Sequence, residues 1–346
     1  MLFKTITKSN FKKFVNNIIK ENQTIGPVET DRNAKGEPIY QFEEISNFNE
    51  MAIDYTITYS SVKNFFLPFK ENLSTFHFKD GTWNQKIEYT IHPRVIIGLR
   101  PYDINGLLKL DKVLMKGKFP YPYYVARRKN TFIIGIDNAP PKGCFAQSLG
   151  TDVALHGFDI FLTDIGNKYF MEINSSKAFN LLKNIKTNEV TDKDQKKYIE
   201  KKKQIESLYK NEVDVTGLPS LMDIEFESDV WKKWGDKCLS CGSCAMVCPT
   251  CYCYTVKENI DVSLNLASKE RILYSCNLID FAEVAGGHNF RPSAMSRLKY
   301  RYYHQYRGFV ESYDEPKCVG CNRCGNACPT NIYPVAVIHD LRMENA

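Results

Sequence analysis

The chain has 346 residues, 43% hydrophobic and 13% aromatic, enough material for two or three packed domains. Its formal charge of +6 is mild for that length and gives no reason to invoke nucleic acid as a partner. No run of about 18 apolar residues is present to span a membrane, and the opening MLFKTITKSNFKKF lacks the apolar core and cleavage site of a secretory leader.

Residues 9–21 read as an amphipathic helix. Phe11, Phe14, Val15, Ile18 and Ile19 recur at helical spacing, with Ser9 placed to cap it and Gly26-Pro27 placed to end it. After a turn from Asn33 to Gly36, residues 39–43 alternate like a strand. Residues 94–99 read as a buried strand. Asp103 is expected to cap a helix through Leu107, Leu108, Leu110 and Val113, and residues 131–136 complete a β-α-β unit. Residues 158–163 and 168–173, joined at Gly166-Asn167, read as a hairpin, and residues 175–185 as a helix. Residues 187–211 are charged and nearly free of aromatics, the composition of a solvated helix or linker. From Asp229 onward the chain is cysteine-rich and short-helical. The expected organisation is a mixed α/β domain over 1–186, a charged helical linker over 187–226 and a cysteine-rich domain over 227–346.

Eight of the twelve cysteines fall into two copies of one pattern. Cys238, Cys241, Cys244 and Cys248 precede Pro249; Cys318, Cys321, Cys324 and Cys328 precede Pro329. Both read C-x2-C-x2-C-x3-C-P, the cluster-binding run of bacterial two-cluster ferredoxins. In that arrangement three cysteines of a run grip one 4Fe–4S cluster and the fourth ligates the other. Cys238, Cys241, Cys244 and Cys328 are therefore assigned to one cluster, and Cys318, Cys321, Cys324 and Cys248 to the second. A zinc site uses paired C-x2-C groups and needs neither a third cysteine at the same spacing nor a C-P, twice over. Cysteines committed to clusters rather than disulfides point to a reducing cytoplasm. The motifs lie 80 residues apart, Cys238 to Cys318. The spacer holds CYCY at 251–254, a Gly-Gly-His-Asn turn at 286–289 and a helix near Ser293 to Phe309. The fold class expected is α+β: the N-terminal α/β domain, then a mostly helical two-cluster ferredoxin-like domain with a large helical insertion.

Several stretches resemble one family, the 4Fe–4S dicluster beta subunits of sulfhydrogenase-type NiFe hydrogenases and their counterpart in anaerobic sulfite reductase. They are KCLSCGSCAMVCPTCYCYTV, SCNLIDFAEVAGGHNFRP, KYRYYHQYR and CVGCNRCGNACPTNI, with LPFKENLSTFHF, VIIGLRPYDINGLLKLDKV and CFAQSLGTDVALHGFDIFLTD upstream. The resemblance covers most of the chain. It implies a cytoplasmic electron-transfer subunit that passes electrons between a flavin-containing partner and a catalytic one, whether hydrogenase, sulfite reductase or heterodisulfide-reductase-like. It also implies four N-terminal cysteines, at positions that here read Tyr102, Asn138, Cys144 and Ala146. Tyrosine and asparagine are poor iron ligands beside thiolate, so any further cluster held there in relatives is expected to be lost.

Cys251, Cys253 and Cys276 lie outside both motifs. The plainer expectation is small buried side chains beside the clusters; the sharper one is a third metal centre, which as a site of chemistry would make the chain an enzyme. His288 reads as a turn histidine donating a hydrogen bond rather than a ligand. Arg291, Arg297, Lys299, Arg301 and Arg307 interleave with Tyr300, Tyr302, Tyr303 and Tyr306. Such a mixture binds single strands in some proteins and would suit a redox-sensing regulator. Here it is expected to be a helix docked on the cluster domain, its cations offsetting cluster charge and steering an acidic partner. No G-x-G-x-x-G after a strand pattern, no P-loop and no Ser/His/Asp arrangement is legible. The function expected is an electron relay with two 4Fe–4S clusters and no catalytic residue of its own.

Overall fold

The computed structural model describes residues 2–87 and 91–343. Its strands are β1 (Leu2–Thr7), β2 (Gln23–Arg32), β3 (Pro38–Glu44), β4 (Lys70–Lys79), β5 (Thr82–Lys86), β6 (Arg94–Leu99), β7 (Thr131–Ile136), β8 (Ile160–Asp164), β9 (Lys168–Ile173), β10 (Tyr254–Ile260) and β11 (Leu266–Leu273). Seven form one sheet in the order β1-β9-β8-β7-β6-β2-β3, parallel from β8 through β2 and closed by antiparallel strands at both edges. The central strands are apolar without alternation because both faces are covered. Val95, Ile97, Ile134 and Ile136 pack against helix α1 (Lys8–Glu21). Ile96, Leu99 and Ile133 pack against α2 (Pro101–Leu114) and α3 (Pro122–Lys129).

Three local expectations change. The side chain of Thr7, not Ser9, accepts the capping bond of α1, from the Asn10 amide. Gly26-Pro27 does not end that helix, which stops at Glu21. It lies inside β2, where Pro27 stands so close to Gly98 that a Cβ there would approach its ring to 3.0 Å. Proline has no N–H for the ladder, and the β2–β6 pairing runs only from Gln23 to Ile25. Asp103 does not cap α2; Arg100 occupies that position and Pro101 opens the helix.

The remaining helices are α4 (Ser176–Leu182), α5 (Asp192–Glu206), α6 (Leu218–Ile224), α7 (Asp229–Gly235), α8 (Ser243–Met246), α9 (Ala294–Tyr306), α10 (Gly308–Tyr313), α11 (Arg323–Asn326) and α12 (Pro334–Met343). The charged stretch supplies α5, whose Tyr198 stacks on Phe170 at 4.2 Å and whose Lys202 bonds Asp137 at 2.8 Å. The insertion between the cysteine motifs is not all helical. It begins with the β10–β11 hairpin, which joins β4 and β5 in a second, four-stranded sheet ordered β10-β11-β4-β5. Much of this sheet is solvated on both faces, so the hydrophobic alternation that marks a half-buried strand is weak in the sequence. The core of the C-terminal part gathers Trp231 and Trp234 of α7, Leu298, Tyr302 and Tyr306 of α9, and Val337, Ile338 and Leu341 of α12.

The two halves interlock at the second cysteine motif. Arg323 is 2% exposed and Asp103 0%. Its guanidinium donates to both carboxylate oxygens, at 2.7 and 3.1 Å, and to the Thr58 carbonyl at 2.9 Å. Gly320 lies so close to Ala146 that a Cβ would stand 2.6 Å from its Cα. Removing one partner of a buried ion pair leaves an uncompensated charge, typically about 3–5 kcal/mol. Asp103→Ala should therefore destabilise the cluster-loaded protein by that order, seen as a lowered thermal unfolding midpoint. A midpoint unchanged from wild type would show that the pair does not hold the halves together.

Candidate metal centre

The two motifs fold into loops of matching form. In the first, Ser240 (φ +52°) and Gly242 (φ +80°) are left-handed; in the second, Gly320 (φ +65°) and Asn322 (φ +59°) are. These turns bend the chain so that a backbone amide meets the first sulfur of each run. Ser240 N–H donates to Cys238 Sγ at 3.4 Å, and Gly320 N–H to Cys318 Sγ at 3.3 Å. A single helical turn follows in each, α8 and α11, and carries the chain to the fourth cysteine. There the correspondence continues, with Cys248 Sγ 3.4 Å from Thr250 Oγ1 and Cys328 Sγ 3.4 Å from Thr330 Oγ1. Gly242 is required for a second reason, since a Cβ would meet Ser275 at 2.9 Å.

All eight motif cysteines line one cavity of about 850 Å³, with Leu298, Arg301, Tyr302 and Tyr306 of α9 forming a wall. Soft thiolates converging on one enclosed space, with amide and hydroxyl donors aimed at the sulfurs, fit iron–sulfur clusters. Cys248 lies within electrostatic reach of Cys318, Cys321 and Cys324, the cysteines of the other motif. Burial differs along the rim. Cys241 is exposed, whereas Cys321 is buried against Tyr102, Cys144 and Ala146. Polar groups not singled out in the sequence complete the surroundings: Asn277 donates to Cys244 Sγ at 3.2 Å, and Tyr306 lies beside Cys318. Asn277 follows Cys276 directly, a hint of sorts; its partner is fixed only by the fold.

The positions where the resembling family carries further cysteines are partly gathered here. Tyr102, Cys144 and Ala146 share one buried apolar cluster with Val319 and Cys321, and Tyr209 packs against it. Tyr102 donates to the Thr56 carbonyl at 3.0 Å, and Asn138 donates to the Tyr55 carbonyl at 2.8 Å. Burial pushes the Cys144 thiol up to about 12. A lone, protonated thiol among aromatic rings is not a ligand set.

The basic helix is docked on the cluster domain, as its pattern suggested, but it does not present its cations to a partner. Arg297 and Arg301 are buried. Arg297 donates to the Asn277 and Arg291 carbonyls and to Ser240 Oγ. Lys299 lies 3.7 Å over the Phe226 ring, Arg291 3.8 Å over Tyr300, and Arg307 pairs with Asp223 and Glu311. Arg297, Lys299 and Arg301 are tied down because α9 is a core helix, and their long stems cross apolar surface to reach internal acceptors. Steering of an acidic partner by Arg297, Lys299 and Arg301 is therefore set aside. His288 sits in an exposed turn closed by Gly286 and Gly287, its ring edge-on to Phe290 at 4.8 Å.

Cys251, Cys253 and Cys276 do not line the eight-cysteine cavity. They stand beside it, at the base of the β10–β11 hairpin, where Tyr274 N–H donates to the Cys253 carbonyl at 2.8 Å. Among the described residues no helix is long and apolar enough to cross a membrane.

Residues 237–332 match the model of a family described as a 4Fe-4S dicluster domain. Over 345 residues, 96% of each chain, the protein is 35% identical to the Sulfhydrogenase 2 subunit beta of Pyrococcus furiosus. The chain thus carries two 4Fe–4S clusters in its cysteine-rich C-terminal part and serves electron transport within an oxidoreductase complex. With likeness running nearly end to end and both cluster loops intact, the chain belongs to the sulfhydrogenase beta-subunit family.

Proposed function

We propose that this chain relays electrons between a flavin-containing partner and the catalytic partner of a cytoplasmic hydrogenase-type complex. One observation carries the reading: two loops of matching geometry bring eight thiols into one cavity, deep in a chain with no legible nucleotide or substrate motif. The ligand sets we assign are Cys238, Cys241, Cys244 with Cys328, and Cys318, Cys321, Cys324 with Cys248. The crossing rests on the pattern of the two runs; Cys248 lies within electrostatic reach of Cys318 and Cys324 and also of Cys244. Each cubane supplies a one-electron carrier whose potential is set by hydrogen bonds and burial. The chain's own part is to hold the sulfurs, donate N–H groups to them and place a buried cation, Arg301, beside Cys244, Cys324 and Cys248.

The two ends of the relay differ. Cys241 is the exposed thiol, with exposed Leu239 two residues before it. Tyr59 and Phe69, also exposed, share an open surface cavity with it. We take this rim as the place where a partner's cofactor approaches, and the second motif, under the N-terminal domain, as the inner station.

Three outcomes test the reading. Cys248→Ala should disturb the cluster of the second motif and Cys328→Ala that of the first; Cys144→Ser should leave the iron content unchanged. Site-resolved electron paramagnetic resonance showing each alanine disturbing its own motif's cluster would sink the crossed assignment. The isolated chain should take electrons from dithionite yet turn over neither hydrogen, sulfite nor NAD(P)H, and robust turnover by the lone chain would refute the relay. Leu239→Asp should slow transfer between partners about tenfold, the effect of some 1.4 kcal/mol, while reduction by dithionite stays at the wild-type rate.

A further inference from the structure

Buried thiols that merely fill space need no polar partner. Cys251 has two: Arg301 Nη1 and Gln305 Nε2 each donate to its sulfur, both at 3.4 Å. The Cys253 and Cys276 thiols face each other, and Cys251 lies within electrostatic reach of Cys276. The three sulfurs thus form one group, although Cys253 and Cys276 lie 23 positions apart (276 − 253). Pairing of β10 with β11 brings them together.

Three cations are buried around that group. Lys63 and Lys317 are each 1% exposed and Arg301 6%. Among the described residues Lys63 donates to the Met246 carbonyl alone, at 3.3 Å. Lys317 Nζ stands 4.1 Å over the ring of Tyr252, between Cys251 and Cys253 in sequence, and is without a hydrogen-bond partner among the described residues. Cys251, Cys248 and Cys253 lie within electrostatic reach of Lys63. A buried cation is tolerated when it is paired with opposite charge, and here that charge is sulfur-borne. The two assigned clusters do not account for the arrangement by themselves. Arg301 and Gln305 donate to Cys251 rather than to a motif cysteine, and Lys317 stacks on the residue between the two outlying cysteines.

We propose that Cys251, Cys253 and Cys276 hold a third iron–sulfur cluster, one iron of which carries no cysteine ligand. Three soft thiolates suit such a cluster, and full cysteine ligation takes four. The net negative charge of a thiolate-bound cluster is what Lys63, Lys317 and Arg301 balance. The Cys248 thiol faces Cys251, so the third cluster adjoins the second-motif cluster, and its outer edge lies at the part-exposed Cys253. Its place as a further electron station rests on the relay reading; its existence does not.

The test is the metal content of the full-length chain purified without oxygen. About twelve irons with matching acid-labile sulfide are expected, against about eight for the two motif clusters alone. Cys253→Ser combined with Cys276→Ser should lower the count to about eight, leaving the other two clusters' paramagnetic signals in place. About eight irons in the wild type, or a zinc ion in place of the extra irons, overturns the proposal, and this count decides even if the double variant fails to fold. Lys317→Met offers an independent readout. Loss of a neighbouring cation disfavours the reduced, more negative state, so the signal that vanishes in the double variant should shift to lower potential. An unmoved midpoint for that signal would remove Lys317 from the site. Twelve irons with no transfer between partners would leave the cluster and end the relay; transfer with eight irons would do the reverse.

Discussion

The ion pair between Arg323 and Asp103 is the constraint on which the rest of the arrangement depends. Arg323 is the residue before Cys324, inside the second cluster loop, and Asp103 lies in the first turn of α2. Both are withdrawn from water, and a bidentate geometry satisfies each. An arginine fork fixes orientation as well as distance, so the loop is set against the α/β half at a defined angle. Around it the Thr151 hydroxyl donates to the Val319 carbonyl at 2.8 Å, the Phe145 amide to the Gly320 carbonyl at 2.8 Å, and Lys109 to the Pro316 carbonyl at 2.6 Å. The N-terminal half is thereby a platform for the second cysteine loop and leaves Cys241 of the first motif exposed.

Polar groups around the sulfurs give this platform its electrical character. Amide donors recur at the same position of both loops, which follows from the repeated left-handed turns rather than from any particular side chain. Side-chain groups break that symmetry: Asn277 donates to Cys244, and Tyr306 lies beside Cys318. Arg301 lies beside cysteines of both motifs and beside Cys251 as well. Donors and cations favour the more negative, reduced state of a cluster, so unequal surroundings separate the potentials of otherwise equal clusters. The helix that supplies Arg301 also supplies Leu298, Tyr302 and Tyr306 to the hydrophobic core, so electrostatic tuning and packing share one element.

What could be read from the chain in order is what local rules govern. The strands over 94–99 and 131–136 appear where expected, because continuous apolar runs are buried on both faces. The 160–173 hairpin follows from Gly166, whose φ of +106° few other residues tolerate. The cysteine spacing carried the two loops and the two 4Fe–4S clusters, because within each run the first three cysteines lie only a few residues apart.

Long-range placement escaped the same reading. The β10–β11 hairpin pairs with β4, some 190 residues earlier in the chain (266 − 77 = 189), and neither partner declares itself alone. Asp103 has the local look of a helix cap and instead neutralises a cation 220 residues away. Arg297 and Arg301 have the composition of a solvated basic face, yet the helix turns them inward toward carbonyls and sulfur. Cys251, Cys253 and Cys276 were legible as a possible group, but the buried Lys63, Lys317 and Arg301 beside them were not. The chain by itself determined which chemistry it carries, because thiolate spacing is a local property. Only the tertiary structure decided which thiol meets solvent, which cations face the sulfurs and how the halves lock, because burial and charge pairing depend on residues far apart in sequence.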